Sequence, residues 1–138
     1  MVAFTGSTFA KVAQAIKAGT YTATETGTGA DTAGFGTCVV IVNAGTFTST
    51  ASMTFKVQSA TTVGGSYSDI SGAVFTAVTT SNDEACYIGS VKLDGTHSQF
   101  LRVVGTYSGS GNAVASVEFL FLLPEDSVLA SGSAVFTV

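Results

Sequence analysis

Met53-Thr54-Phe55-Lys56-Val57-Gln58 sets Met53, Phe55 and Val57 against Thr54, Lys56 and Gln58, apolar and polar in turn. Alternation with a period of two describes a strand with one buried face and one wet face. Upstream, Cys38-Val39-Val40-Ile41-Val42 is continuously apolar until Asn43-Ala44-Gly45 closes it. Such a run marks a strand covered on both faces or central in a sheet. Together the two segments point to layered sheets around a shared core.

Working outward, the punctuation stays that of a β-protein. Residues 20–26 alternate Thr with Tyr21, Ala23 and Glu25, and Gly27-Thr28-Gly29-Ala30-Asp31 then breaks the chain. Gly64-Gly65 makes a turn, and Ser71-Gly72 separates strand-like residues 67–70 from residues 75–78. Residues 85–93 read as a strand closed by Asp94-Gly95, a favoured hairpin dipeptide. Residues 100–107 follow, with Leu101, Val103 and Gly105 opposite Phe100, Arg102 and Val104. Ser108-Gly109-Ser110-Gly111-Asn112 reads as a flexible loop before the last long strand, residues 113–123, which Pro124 ends. Seven or more short strands at this spacing predict an all-β fold, an antiparallel β-sandwich of jelly-roll type. No internal repeat of solenoid period is present.

The two ends read differently. Ser7 caps an expected short helix with Phe9, Val12, Ala13 and Ile16 on one face and Gly19 as its stop. An isolated helix of about eleven residues is marginal in water, so it needs a surface to lie on. After Pro124 come Glu125-Asp126, Val128-Leu129, a Ser131-Gly132-Ser133 hinge and strand-like Ala134-Val135-Phe136-Thr137-Val138. The chain therefore divides into an N-terminal arm or helix (1–19), a sandwich (20–123) and a C-terminal arm (124–138). A five-residue apolar strand must be covered, by its own sandwich edge or by a neighbouring molecule. The expected partner-contact residues are Phe9, Val12 and Ile16 at one end and Val135, Phe136 and Val138 at the other.

Composition narrows the function. The 138 residues include 21 Thr, 16 Ser and 16 Gly but only 14 charged side chains, for a net charge of -4. Lys11, Lys17, Lys56, Lys92 and Arg102 are scattered singly, so no basic patch can neutralise a run of phosphates, and nucleic acid is not expected as a partner. The longest strongly apolar run, residues 119–123, is five residues long, where a membrane helix needs about twenty. No membrane partner is expected, and no secretory signal is visible. A soluble protein made in the cytoplasm is the default expectation.

Chemistry is sparse. His97 is the one histidine and follows an Asp-Gly turn, a place for a solvated side chain more than for a catalytic base. No Gly-x-Ser-x-Gly elbow or phosphate loop occurs. Cys38 and Cys86 both lie in strand-like surroundings and read as small buried hydrophobes, or as a disulfide if their strands meet. Asp83-Glu84 and Glu125-Asp126 are the acidic pairs, too few oxygens for calcium by themselves. No catalytic residue, metal site or cofactor is expected. A carbohydrate-binding sandwich is the rival from another class, although the chain has no Trp to stack on a sugar.

Four stretches carry a resemblance. They are Asp31-Thr-Ala-Gly-Phe35 leading into Val39-Val-Ile-Val-Asn43; Phe55-Lys-Val-Gln-Ser59; Gly65-Ser-Tyr-Ser-Asp-Ile-Ser-Gly-Ala73; and Tyr87-Ile-Gly-Ser90 through Phe100-Leu-Arg-Val-Val104. In this order they resemble the small β-sandwich decoration, or cement, proteins of tailed-bacteriophage capsids. Both ends of the chain are extra to that resemblance. It implies a non-enzymatic virion structural protein on the capsid surface, assembled in the host cytoplasm, with the major capsid protein as partner. It also implies copies of the chain meeting one another, as a homotrimer by preference or as a dimer. A phage tail or fibre component is the alternative within the same class.

Overall fold

Val40 and Val42 sit in the middle of a sheet because strands pair with them on both sides, Gly89 and Tyr87 on one and Phe119 and Val117 on the other. A computed structural model describes residues 10–124 and 136–138. Its strands are β1 (Ala10–Tyr21), β2 (Glu25–Thr26), β3 (Ala30–Asp31), β4 (Thr37–Phe47), β5 (Ser52–Ala60), β6 (Ser68–Val74), β7 (Cys86–Lys92), β8 (Phe100–Ser108), β9 (Ala113–Leu122) and β10 (Phe136–Thr137). One sheet runs β1-β9-β4-β7-β10, and the other runs β2-β8-β5-β6 with β3 also on β8.

The pairs are nested. β5 pairs β6, β4 pairs β7, β2 and β3 pair β8, and β1 pairs β9, all antiparallel. The chain is in effect one long hairpin, folded at the β5–β6 turn and rolled so that successive pairs fall in alternate sheets. That is the jelly roll of an antiparallel β-sandwich.

Alternation then fills the space between the sheets. Cys38, Val40 and Val42 of β4 and Val117, Phe119 and Phe121 of β9 face Met53, Phe55 and Val57 of β5 with Leu101 and Val103 of β8, all fully buried. Each such side chain contributes roughly 1.5–3 kcal/mol relative to exposure.

Four local expectations are corrected. The helix is replaced by β1, because β9 offers ten residues of backbone pairing that a short helix cannot match. A β-bulge accounts for the spacing of Ala13 and Ile16: Gln14 faces Glu118 and Ile16 faces Val117, so Ala15 is extra and Ala15 and Ile16 both point inward, whereas Val12 of the expected helical face points outward. β1 is thus part of the sandwich and no separate arm over residues 10–19. Asp94-Gly95 closes no hairpin, since β7 and β8 belong to opposite sheets. Ser71-Gly72 lies inside β6, with Gly72 at φ 81° in a bulge, and residues 75–78 form no strand of their own but stay on β5 through the Phe75 N–H to the Phe55 carbonyl at 2.9 Å and a Met53–Val78 bridge. Finally, the Gly-rich segment after β8 is pinned, as described below.

Candidate functional site

The C-terminal residues dock on their own domain. Phe136 lies beside Gly89 of β7, where a Cβ would come within 2.6 Å of the ring's Cε2, and meets Phe75 edge-on with centroids 4.7 Å apart. It is 8% exposed. β10 runs parallel to β7, the Val138 N–H donates to the Ser90 carbonyl at 3.0 Å, and the Val138 carbonyl accepts from the Lys92 N–H at 2.6 Å. The structure thus gives Phe136 and Val138, expected as partner contacts, an intramolecular role, because Gly89 leaves a notch that fits the ring. A glycine within a strand pattern is the sequence sign of such a close approach. Val135 lies outside the described residues, as do residues 125–134.

At the other end Phe9 and Ser7 also lie outside the described residues. Ile16 is 1% exposed and belongs to the core, turned inward by the bulge, so it offers nothing to a partner. Val12 does the opposite. At 69% exposure it is the most exposed large hydrophobic residue among those described. It sits opposite Leu120 on β1, the end strand of its sheet.

Hydroxyls lock the loops at one end of the sandwich. Thr48 N–H donates to the Asn112 carbonyl at 2.9 Å, and Asn112 N–H donates to Thr48 Oγ1 at 2.9 Å. Thr50 N–H donates to the Ser110 carbonyl at 3.1 Å, and Ser110 N–H returns to Thr50 Oγ1 at 3.0 Å. Gly109 and Gly111, at φ 85° and 103°, let the backbone come against the Thr50 and Thr48 carbonyls. The segment read as flexible is a clasp between the β4–β5 and β8–β9 connections.

Across the second sheet, Arg102 Nε donates to Gln58 Oε1 at 2.8 Å, and Gln58 Nε2 donates to Asp69 Oδ1 at 2.7 Å. Lys56 Nζ lies 3.0 Å from Asp69 Oδ2, and the Arg102 guanidinium stacks 4.1 Å from the Tyr67 ring centroid. Gln58, then Lys56, hold the Asp69 carboxyl below its ordinary range. Asp31 is lowered in the same way by the Ala33 N–H and the Gln99 amide.

His97 lines a shallow open recess with Thr32, Phe35, Leu93 and Gln99. Asp94, close to it, is lowered mainly by hydrogen bonds from Thr96. The recess offers a hydroxyl, an amide and an imidazole but no paired nucleophile and base.

Cys38 is buried, and burial pushes its thiol pKa up. Cys86 is exposed, against the expectation of burial, with its thiol 3.6 Å from Asn43 Oδ1. Both are free. Cys38 faces Val91 and Cys86 faces Asn43 on the same strand pair, roughly 17 Å apart along it, which is beyond disulfide reach. No group of three metal-ligating side chains occurs among the described residues, and no helix among them is long and apolar enough to cross a membrane. Compared with known proteins, the chain matches no family model, no curated protein and no solved structure.

Proposed function

We propose that this chain is a non-enzymatic virion structural protein, a decoration or cement protein that binds the outside of a tailed-phage head and stabilises it. The observation that carries the reading is the clasp between the Thr48–Thr50 turn and the Ser110–Asn112 loop. In sandwiches that bind ligands or catalyse, connecting loops on the rigid scaffold carry the site. Here two of those loops are spent on each other. The jelly roll is also a recurrent architecture of viral shells, and a hydroxyl-rich, weakly charged surface suits close packing of many copies. Partners under this reading are the major capsid protein and further copies of the chain.

Copy number tests it. Quantitative mass spectrometry of purified particles should find the chain at a number near that of the capsid subunit. A few copies per particle would point to a tail or fibre component instead. Micromolar binding on a glycan array, with none to particles, would replace the reading by carbohydrate recognition.

A further inference from the structure

Among the described residues, the sandwich has one long sheet edge with no strand paired beyond it. β10 is two residues long, as are β2 and β3. β6 breaks register between Lys56–Val74 and Gln58–Asp69, with Gly72 at φ 81° in the gap. Short and bulged edges of this kind are poor templates for a further strand. β1 is different: at 12 residues it is the longest strand described, and it ends its sheet. Its lower half is occupied, because the Ala15 backbone lies against Gly27, which follows β2 and donates its N–H to the Val103 carbonyl of β8, and the bulges distort residues 14–19. Residues 10–14 remain in regular register with β9.

We infer that this segment of β1 pairs antiparallel with the same segment of a second copy, about a two-fold axis at Val12. Three observations select that occupant. First, a cyclic trimer needs two different surfaces to meet, whereas a two-fold contact needs one surface that fits itself. Among the described residues, the sandwich has one long edge to offer. Second, centring on Val12 is the register that overlaps all five regular residues, placing Ala10 opposite Gln14 and Lys11 opposite Ala13. No like charges face each other. Lys11 is in any case turned to the inner side, donating to the Asp31 carbonyl at 2.8 Å with Nζ 5.1 Å from the Phe121 centroid. Third, Val12 at 69% exposure meets Val12 of the second copy, with Leu120 beside each, so the most exposed apolar side chain is the one covered.

The two outer faces then form one continuous sheet, joined by about four to six backbone hydrogen bonds. An interface this small falls at the weak end of specific contacts, with half-association at concentrations on the order of 0.1–1 mM. Many weak contacts of this kind add up when copies are held on one surface. The inference deepens the proposed self-contact, yet it is read on the isolated chain, so it and the capsid role can fail separately.

The test uses the full chain with Cys86→Ser. Residues directly opposed across an antiparallel pair lie about 4.5–5.5 Å apart at Cα, within disulfide range. Val12→Cys should therefore form a covalent dimer under mild oxidation at least tenfold faster than Val63→Cys, a comparably exposed control. Sedimentation equilibrium should show reversible dimers of the wild type near 1 mM, and Val12→Lys should weaken them at least tenfold. Equal cross-linking of the two cysteine variants, a wild type that stays monomeric, or a Val12→Lys variant that associates like the wild type would each overturn the inference.

Discussion

Phe136→Ala should destabilise the sandwich although the residue is the third from last in the sequence. A buried phenylalanine removes at least about 150 Å² from water, which at about 25 cal/mol per Å² is close to 4 kcal/mol. Loosening of the backbone at position 136 returns conformational entropy worth about 1–2 kcal/mol, while the Val138 hydrogen bonds to Ser90 and Lys92 keep the rest of the segment docked. The net loss should be about 2–3 kcal/mol, or a melting temperature lower by roughly 8 °C for a chain of this length. Gly89→Ala reaches the same notch from the other side, since its Cβ would strike the Phe136 ring. It should cost a similar amount. The double variant should then lose little more than either single one, a coupling of about 2 kcal/mol. Urea unfolding monitored by circular dichroism, run as the full cycle, measures it. Additive losses, or a Phe136→Ala melting temperature within about 1 °C of the wild type, would refute the docking argument.

Other positions give sharper single tests. Val42→Asp places an unpaired carboxylate at a site with 0% exposure, a penalty comparable to the whole stability of a domain. No folded protein is expected, and a soluble, sheet-rich variant with near-normal melting would count against the core. Gly111→Ala must hold φ 103° and meet the Thr48 carbonyl, so it should lose about 2–4 kcal/mol. Gly64→Ala, with open space at its Cβ, should be near neutral, and equal effects would dissolve the clasp. Asp31 and Asp69 are lowered in the folded state, so their contribution is full above the unfolded value of about 3.9 and fades as pH falls through the folded values. Melting temperature should drop below about pH 4, and less so in Asp69→Asn. A variant that follows the wild-type curve would remove Asp69 from the account.

Sequence reading reached the central strands because each carries one uninterrupted pattern. The alternation of Met53, Phe55 and Val57 and the unbroken run from Val39 to Val42 each place a single strand without knowledge of its neighbours. β1 is hidden in the sequence because Ala15, one inserted residue, shifts the parity of the strand so that the inward Ala13 and Ile16 stand three apart, and the outward Val12 completes an apolar pattern that no single face of the strand carries. Asp94-Gly95 has hairpin chemistry, but whether the next strand stays in the same sheet is a property of the rolled chain and leaves no local mark. The clasp was hidden for a similar reason: Thr48 and Thr50 look like any of the other hydroxyl residues until the fold carries Ser110 and Asn112 beside them. Gly89 is the one legible clue to the docked C-terminus, since a glycine inside a β-pattern marks a close approach. Val12 could be singled out from the sequence, but its exposure follows only from β1 lying at the end of the sheet.

The proposed capsid role is tested most directly by an electron-microscopy map of the particles made from the genome that encodes this chain. The account predicts jelly-roll density of this shape on the outer surface of the head, repeated at equivalent sites over the whole shell. Heads with bare outer surfaces, or density of this shape confined to the tail, would contradict it.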